Sequence, residues 1–455
     1  MDWETIEPAL KQAFFGRINL ATSVDFLPQI RRILGRKNML IRSASSFKTP
    51  QYLLDESVLR SDALLFKRTF QKYFKRCRFF YAFKCNDLPY QISVLQNLGF
   101  DADVASSFEL QLALRLGFKR IIYTSPGKSE FDLKFALRHS DKVIINIDNY
   151  DELERLIRLK AKCKVSFRIT PVESKWSKFG FLLEDLRSMV NKATGAGLKF
   201  TGIHFHSSWN KTPGAYVANI KAIGSCLKAF TSKEKQHLDF LDIGGGFLPP
   251  LSASYFCNTD KGKLLSIASQ DFDERLVCLD KLDSLETFAK EISSALREAG
   301  LTDIELWLEP GRFVVSNATI ILAKVICRKS SSVITDAGIH MLGGANADFE
   351  FFPIVNLSRP SFSLRKSTIY GPLCDPDDLW GYYYFGTDIK VGDTIAIATQ
   401  GAYTYATAWK FINPIPKYVV LKGNKLFLAK KEETFNERFR SCVFPNRKLN
   451  PVKNI

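Results

Sequence analysis

At 455 residues, with 46% hydrophobic and 13% aromatic content, the chain is long enough for two domains with sizeable cores and too apolar to be disordered. Its 64 basic and 47 acidic residues leave a formal charge of +17, but Lys and Arg are dispersed among acids with no accompanying DNA or RNA module, so no nucleic-acid partner is expected. The opening "MDWETIEPAL" lacks an apolar signal, and apolar stretches such as "ATIILAKVIC" are too short to span a bilayer, so the chain reads as cytoplasmic, with no membrane partner. Nine cysteines, at 77, 85, 163, 226, 257, 278, 327, 374 and 442, form no CxxC pair; they suit a reducing compartment and offer no metal clasp.

In chain order, the residues before about 50 form an N-terminal segment (1–48) expected to pack with the β domain, and "KNMLIRSA" (37–44) is a candidate strand of it. From 49 to 312, short β-rich runs alternate with helical patterns. The strand candidates are "RFFYAF" (78–83), "DADVAS" (101–106), "RIIYTS" (120–125), "KVIINI" (142–147), "KVSFRI" (164–169), "TGIHFH" (201–206), "FLDIGG" (240–245) and "ELWLEP" (305–310). Helices are expected near 87–98, 107–116, 129–139, 150–160, 183–194, 214–230 and 282–299, several opening on caps such as Ser129 and Asn149. Eight parallel strands with intervening helices predict an α/β fold, a (β/α)8 TIM barrel. Residues 247–281 have no strong period and are expected to be a mobile loop. Beyond 312 the pattern changes to strand-like runs without long helices, from "FVVSNATIILAKVICR" to "KYVVLKGNKLFLA". This predicts a second, C-terminal β-rich domain (313–455), a β-barrel or sandwich.

Chemistry in such a barrel sits where the strands end at their C-terminal side. Lys84, Ser106, Arg168, His206, Gly244 to Gly246, and Glu309 with Arg312 all fall at such ends. Each alone has a plain reading: a lysine beginning a solvated loop, a core histidine, a tight glycine turn, an ion pair. Together they place an amine, an imidazole, a glycine run and a carboxylate at one mouth. A lysine in a partly desolvated pocket is expected to lose proton affinity and become a nucleophile toward an aldehyde. Consecutive glycines let backbone N–H groups approach a phosphate. A glutamate can keep a pyridine nitrogen protonated, and an imidazole can stack on the ring. The set describes pyridoxal 5'-phosphate. His204, two residues before His206, is expected to face the opposite side and is given no role; Lys128 is expected to be a solvated loop lysine.

The motifs "YAFKCN" (81–86), "DVASSFEL" (103–110), "SPGKS" (125–129), "SKFGF" (177–181), "GIHFHSS" (202–208), "DIGGGF" (242–247), "EPGR" (309–312), "GPLCDPDD" (371–378) and "GAYT" (401–404) occur in that order. From "TPQYLLDESVL" (49–59) to "FINPIPKYVVL" (411–421) the chain resembles the fold-type III pyridoxal-phosphate decarboxylases, the ornithine, lysine, diaminopimelate and arginine decarboxylase group related to alanine racemase. The resemblance implies that Lys84 binds the cofactor aldehyde, His206 stacks on the ring, and Glu309 pairs with its nitrogen. Gly244, Gly245, Gly246, Gly311 and Arg312 would hold the phosphate with Tyr403, and Asp103 and Arg168 would line the pocket. It also implies a head-to-tail homodimer with shared active sites, in which Cys374 of one subunit protonates the product of the other.

For the substrate, the resemblance implies an amino acid with a distal cation met by Asp375, with Asp378 at the second acidic position. A conjugated amino acid of siderophore or antibiotic pathways, a racemase and a non-catalytic decarboxylase-like regulator are the alternatives. Where the family runs Gly-Ser after its histidine, this chain has Ser207, Ser208 and Trp209, which puts an indole at the substrate mouth.

Overall fold

A computed structural model describes residues 20–172, 178–258, 262–264, 275–343 and 350–444. Strand β1 (Gln51–Asp55) lies outside the barrel: it pairs with two strands of the C-terminal half, as set out below. The next seven strands are β2 (Cys77–Ala82), β3 (Asp101–Val104), β4 (Ile121–Thr124), β5 (Val143–Ile147), β6 (Lys164–Arg168), β7 (Lys199–His204) and β8 (Phe240–Asp242). Two short strands, β9 (Ala253–Tyr255) and β10 (Val277–Leu279), pair antiparallel with each other, and β11 (Glu305–Leu308) follows. Strand β11 closes β2 to β8 into an eight-stranded parallel barrel.

All eight expected barrel strands are present, with the expected helices between them; examples are Ser107–Arg115, capped by Ser106, and Tyr150–Arg158, capped by Asn149. The strands read as nearly unbroken apolar runs because both of their faces are covered, by helices outside and by side chains inside. Phe80, Ile122, Ile144, Phe240 and Trp307 fill the interior as a cluster of their own. Phe240 and Trp307 stack with ring centroids 3.5 Å apart. Gly202 makes that possible: a Cβ there would stand 2.1 Å from the Phe240 ring.

The C-terminal half contributes β12 (Thr319–Lys329), β13 (Ser332–Thr335), β14 (Ile354–Asn356), β15 (Leu364–Tyr370), β16 (Leu379–Phe385), β17 (Thr394–Ile397), β18 (Lys417–Lys422) and β19 (Lys425–Lys430). With β1 they form a nine-stranded sheet ordered β13-β15-β16-β14-β17-β12-β1-β18-β19, and a further β12–β13 pairing closes six of the strands into a ring. Strand β16, "LWGYYYF", is an aromatic-rich run that the sequence reading passed over.

Three expectations about these parts are corrected. "KNMLIRSA" is helical, within Lys37–Phe47, because Leu40 and Ser43 lie on one helical face and turn inward; Ser43 Oγ donates to Gln51 Oε1 at 2.7 Å. Residues 51–55 belong to the β layer and not to the barrel, since Tyr52 pairs with Ile321 on one side and Tyr418 on the other. The 247–281 connection holds β9 and β10, and Tyr255 packs its ring against Phe351 and Tyr382. Residues 259–261 and 265–274 of that expected loop lie outside the described residues. No helix among the described residues is long and apolar enough to cross a membrane.

Candidate active site

Side chains two apart on a strand share a face. Continuing from the interior residues toward the strand ends therefore generates the top layer of the barrel. Phe80 leads through Ala82 to Lys84, Ile144 through Asn146 to Asp148, Gly202 through His204 to His206, Phe240 to Asp242, and Trp307 to Glu309. The same rule corrects the reading of His204, which shares its face with His206 and brings Nε2 within 3.5 Å of Glu309 Oε2.

Lys84 sits in a 3-10 turn, Phe83–Cys85, directly after β2, and its Nζ donates to Asp103 Oδ2 at 2.7 Å. The expectation that this lysine is depleted of its proton is overturned in the ligand-free chain. Burial alone would lower its proton affinity, but the facing carboxylates of Asp103 and Glu309 outweigh burial and hold the ammonium well above the ordinary lysine range. Asp103 is 1% exposed, and burial with the nearby Glu309 pushes its carboxyl up to about 6. Arg168 pairs with the buried Asp148 at 3.2 Å and lies 4.3 Å over the Phe179 ring.

His206 Nδ1 accepts the Gly245 N–H at 3.1 Å, and Nε2 stands 3.2 Å from Ser208 Oγ. A neutral ring in this setting carries its proton on Nε2 and donates it to the serine. Burial, then Lys84 and Arg168, keep the imidazole neutral by lowering its pKa well below the usual range. Asp242 and Glu309 are buried side by side beneath these groups.

The glycine run forms a backbone cradle that no other residue could line. A Cβ on Gly245 would fall 2.4 Å from the Glu309 carbonyl, and one on Gly246 2.0 Å from the Ser207 carbonyl, while Gly244 and Gly246 adopt φ of 69° and 94°. Arg312 stands beside the cradle, paired through Nη1 with Glu350 Oε1. Its guanidinium lies 4.3 Å from the Trp209 ring and 5.1 Å from that of Tyr403. Trp209 thus stacks over an arginine; it is not core filler, being 53% exposed at φ 57°. Together these groups line a cavity of about 390 Å³ with Lys84 at one wall, Glu309 at another and Gly245, Gly246, Gly311 and Arg312 at a third. The fit to pyridoxal phosphate rests on that separation of amine, carboxylate and anion cradle, together with the unpartnered Glu309 Oε1.

Other expected residues lie elsewhere. Cys374, exposed, and Asp375, half-buried, sit on the turn between β15 and β16 and do not line the Lys84 cavity of their own chain. Asp378 is unavailable to a substrate: it is buried, and its two oxygens accept the Ile339 and Leu373 amides at 2.7 and 2.6 Å. Lys128 is not solvated; its Nζ is fully buried against Glu152, at 2.8 and 3.1 Å, and the Ser125 and Asn146 carbonyls. Asp242 and Glu350 were missed. Strand alternation from Phe240 would have placed Asp242 at the mouth, but no local signal identified Glu350.

A family profile described as "Pyridoxal-dependent decarboxylase, pyridoxal binding domain" matches residues 65–316, more than half of the chain. The chain belongs to this decarboxylase family. The pyridoxal-dependent decarboxylase, a lyase, is similar to a diaminopimelate decarboxylase of Methanothermobacter thermautotrophicus, 26% identical over 429 residues covering 90% of this chain and 95% of the relative. It is also similar to a lysine/ornithine decarboxylase of Selenomonas ruminantium, 27% identical over 356 residues covering 75% and 82%. Its fold matches the M. jannaschii diaminopimelate decarboxylase in co-complex with L-lysine, with a TM-score of 0.75 at 21% identity covering 89% and 94% of the two chains. A lysine/ornithine decarboxylase of Vibrio vulnificus complexed with putrescine matches with a TM-score of 0.67 at 23% identity, covering 85% and 98%.

Proposed function

We propose that the enzyme decarboxylates an amino acid carrying a second, distal cationic group, as a head-to-tail homodimer in which each subunit supplies Cys374 and Asp375 to the Lys84 cavity of the other. The carrying observation is a charge mismatch. Among the described residues lining the cavity, Glu309 is the only acid, and it lies on the cofactor wall, so these residues leave a distal ammonium without a counter-charge. Asp375 is suited to provide it: Asp378 pins the turn from below through two backbone amides, leaving Cys374 exposed and the Asp375 carboxylate accepting the Asp377 amide at 3.0 Å. Relatives named for diaminopimelate, lysine and ornithine, and structures with bound lysine and putrescine, support the same substrate class. Nine cysteines scattered without a CxxC pair support a reducing, cytoplasmic setting.

When bound, pyridoxal phosphate supplies an aldehyde for an amine and an electron sink for the bond broken at the α-carbon. The chain's residues do the remaining work. Gly245, Gly246 and Arg312 would hold the phosphate, the last of them now paired with Glu350. Neutral His206 would lie against the ring without adding charge. Lys84, its proton held by Asp103, delivers and recovers that proton at Nζ as amines exchange. Glu309 would meet the ring nitrogen as a carboxylate, and the Cys374 thiol of the partner subunit would supply the proton that replaces the lost carboxyl group.

Carbon dioxide release from the L- and D-forms of ornithine, lysine, arginine and diaminopimelate tests the substrate class. Turnover confined to substrates without a distal cation refutes it. For the shared site, mixing inactive Lys84→Ala and Cys374→Ala subunits restores activity if the sites are shared, and fails to if each chain is self-sufficient.

A further inference from the structure

Beneath the cofactor wall, three buried groups from adjacent strands converge: Asp242 at the end of β8, His204 on β7 and Glu309 after β11. One ligand atom of each lies within 4.8 Å of the others. Asp242 Oδ1 accepts the Gly244 N–H at 2.9 Å, but Oδ2 has no partner, nor has Glu309 Oε1. Buried polar atoms without partners are rare and costly. Two carboxylates at this separation in a dry layer cannot both ionise, and one shared proton would satisfy both orphan oxygens.

We propose that Asp242 is a positioning residue that remains protonated in the folded enzyme and donates Oδ2–H to Glu309 Oε1, so that Glu309 alone carries the negative charge that faces the cofactor ring.

The surrounding charges decide which acid keeps the proton. Lys84 after β2 and Arg168 on β6 both favour the ionised form of Glu309. The groups that weigh most on Asp242 are acids: burial, Glu309 and Asp103 push it far above the usual carboxylate range, opposed by the Gly244 amide. His204, at the other oxygen of Glu309, is kept neutral by burial and Arg168, although Asp103 and Asp148 oppose this, so it does not supply the compensating charge. With Asp242 neutral, the buried layer sets Lys84 and Arg168 against Asp103, Asp148 and Glu309. With Asp242 ionised, the excess of acids over cations in this layer would grow from one to two. The Gly244 contact fixes the roles of the two oxygens: Oδ1 is held as an acceptor by the first glycine of the phosphate cradle, which leaves Oδ2 to carry the proton. Asp242 therefore links the anion cradle to the ring wall.

The inference rests on Glu309 facing the cofactor ring, but not on the substrate. The test begins on cofactor-free protein. Infrared spectra at neutral pH are expected to show a protonated-carboxyl band that is lost in Asp242→Asn and retained in Asp103→Asn. An amide preserves both contacts of a neutral acid, as donor to Glu309 and acceptor from Gly244. Pyridoxal phosphate is therefore expected to bind Asp242→Asn within about threefold of wild type, and Asp242→Ala about 10- to 100-fold more weakly, the range for losing a hydrogen bond to a charged group. If the alanine variant fails to fold, the infrared comparison and the asparagine variant decide alone. Absence of the band in wild type, its loss in Glu309→Gln with retention in Asp242→Asn, or cofactor binding by Asp242→Asn as weak as the alanine range would overturn the assignment. Failure of every distal-cation substrate would leave it standing.

Discussion

Replacing Lys128 by methionine separates two readings of one residue. A solvated loop lysine contributes within about 0.5 kcal/mol, as surface positions generally do. The structure instead buries Nζ completely against a completely buried Glu152 carboxylate and two backbone carbonyls, those of Ser125 after β4 and Asn146 on β5. Methionine fills similar volume but strands the Glu152 carboxylate in the dry layer with the Asp148 amide, at 3.3 Å, as its remaining partner. Removing one member of a buried pair costs about 3–5 kcal/mol, a large share of the roughly 5–15 kcal/mol that holds a protein folded. The loss depends on pH with a definite sign. Without Lys128, burial raises the folded-state pKa of Glu152 above its unfolded value of about 4.3, so the penalty is small below that pH and grows as pH rises through the raised value. Neutralising the partner as well, in Lys128→Met/Glu152→Gln, is expected to recover most of the loss. Urea unfolding of the wild type, the single variant and the double variant between pH 4 and 8 measures each arm. A single-variant cost under about 1 kcal/mol, flat with pH, would refute the buried-pair account.

The buried Asp103 carboxyl, raised to about 6 by burial and Glu309, suits the folded state when neutral, so the wild type is expected to lose about 2–3 kcal/mol relative to Asp103→Asn between pH 4 and 6 and nothing further above; parallel urea titrations of the two proteins read the difference. Asp375→Asn is expected to raise KM for a distal-cation substrate about 10- to 100-fold with little change in kcat, the cost of a lost charged hydrogen bond, as steady-state kinetics would show. Asp378→Ala removes the acceptor of two buried amides, and is expected to cost about 2–3 kcal/mol in denaturant unfolding and to lower kcat by unseating the Cys374 turn.

Much of this was legible in the sequence because the barrel is built from local patterns. "KVIINI" and "RIIYTS" are apolar on both faces, as strands covered inside and out must be, and the residues ending each run point to the mouth by simple alternation. Lys84, Arg168, His206 and Glu309 follow from that rule, and so would His204 and Asp242 had it been carried through strictly. What stayed hidden depends on contacts distant in sequence. Nothing local in "SPGKS" reveals that Lys128 turns inward to a glutamate 24 residues later. "QYLLD" falls within the stretch assigned to the barrel domain until its partners, some 270 and 366 residues on, take it into the β layer. Asp375 and Asp378 are equally acidic, and only the fold of the turn shows that the second is consumed by backbone amides. The Glu350 partner of Arg312 arises the same way, from a segment with no motif of its own.

The whole account depends on Lys84 being the amine that takes the cofactor. Borohydride reduction of the purified protein with excess pyridoxal phosphate, followed by peptide mapping, is expected to fix the pyridoxyl group on the "YAFKCN" peptide and to abolish activity in step with labelling. Labelling of other lysines with Lys84 unmodified, and activity surviving reduction, would contradict it.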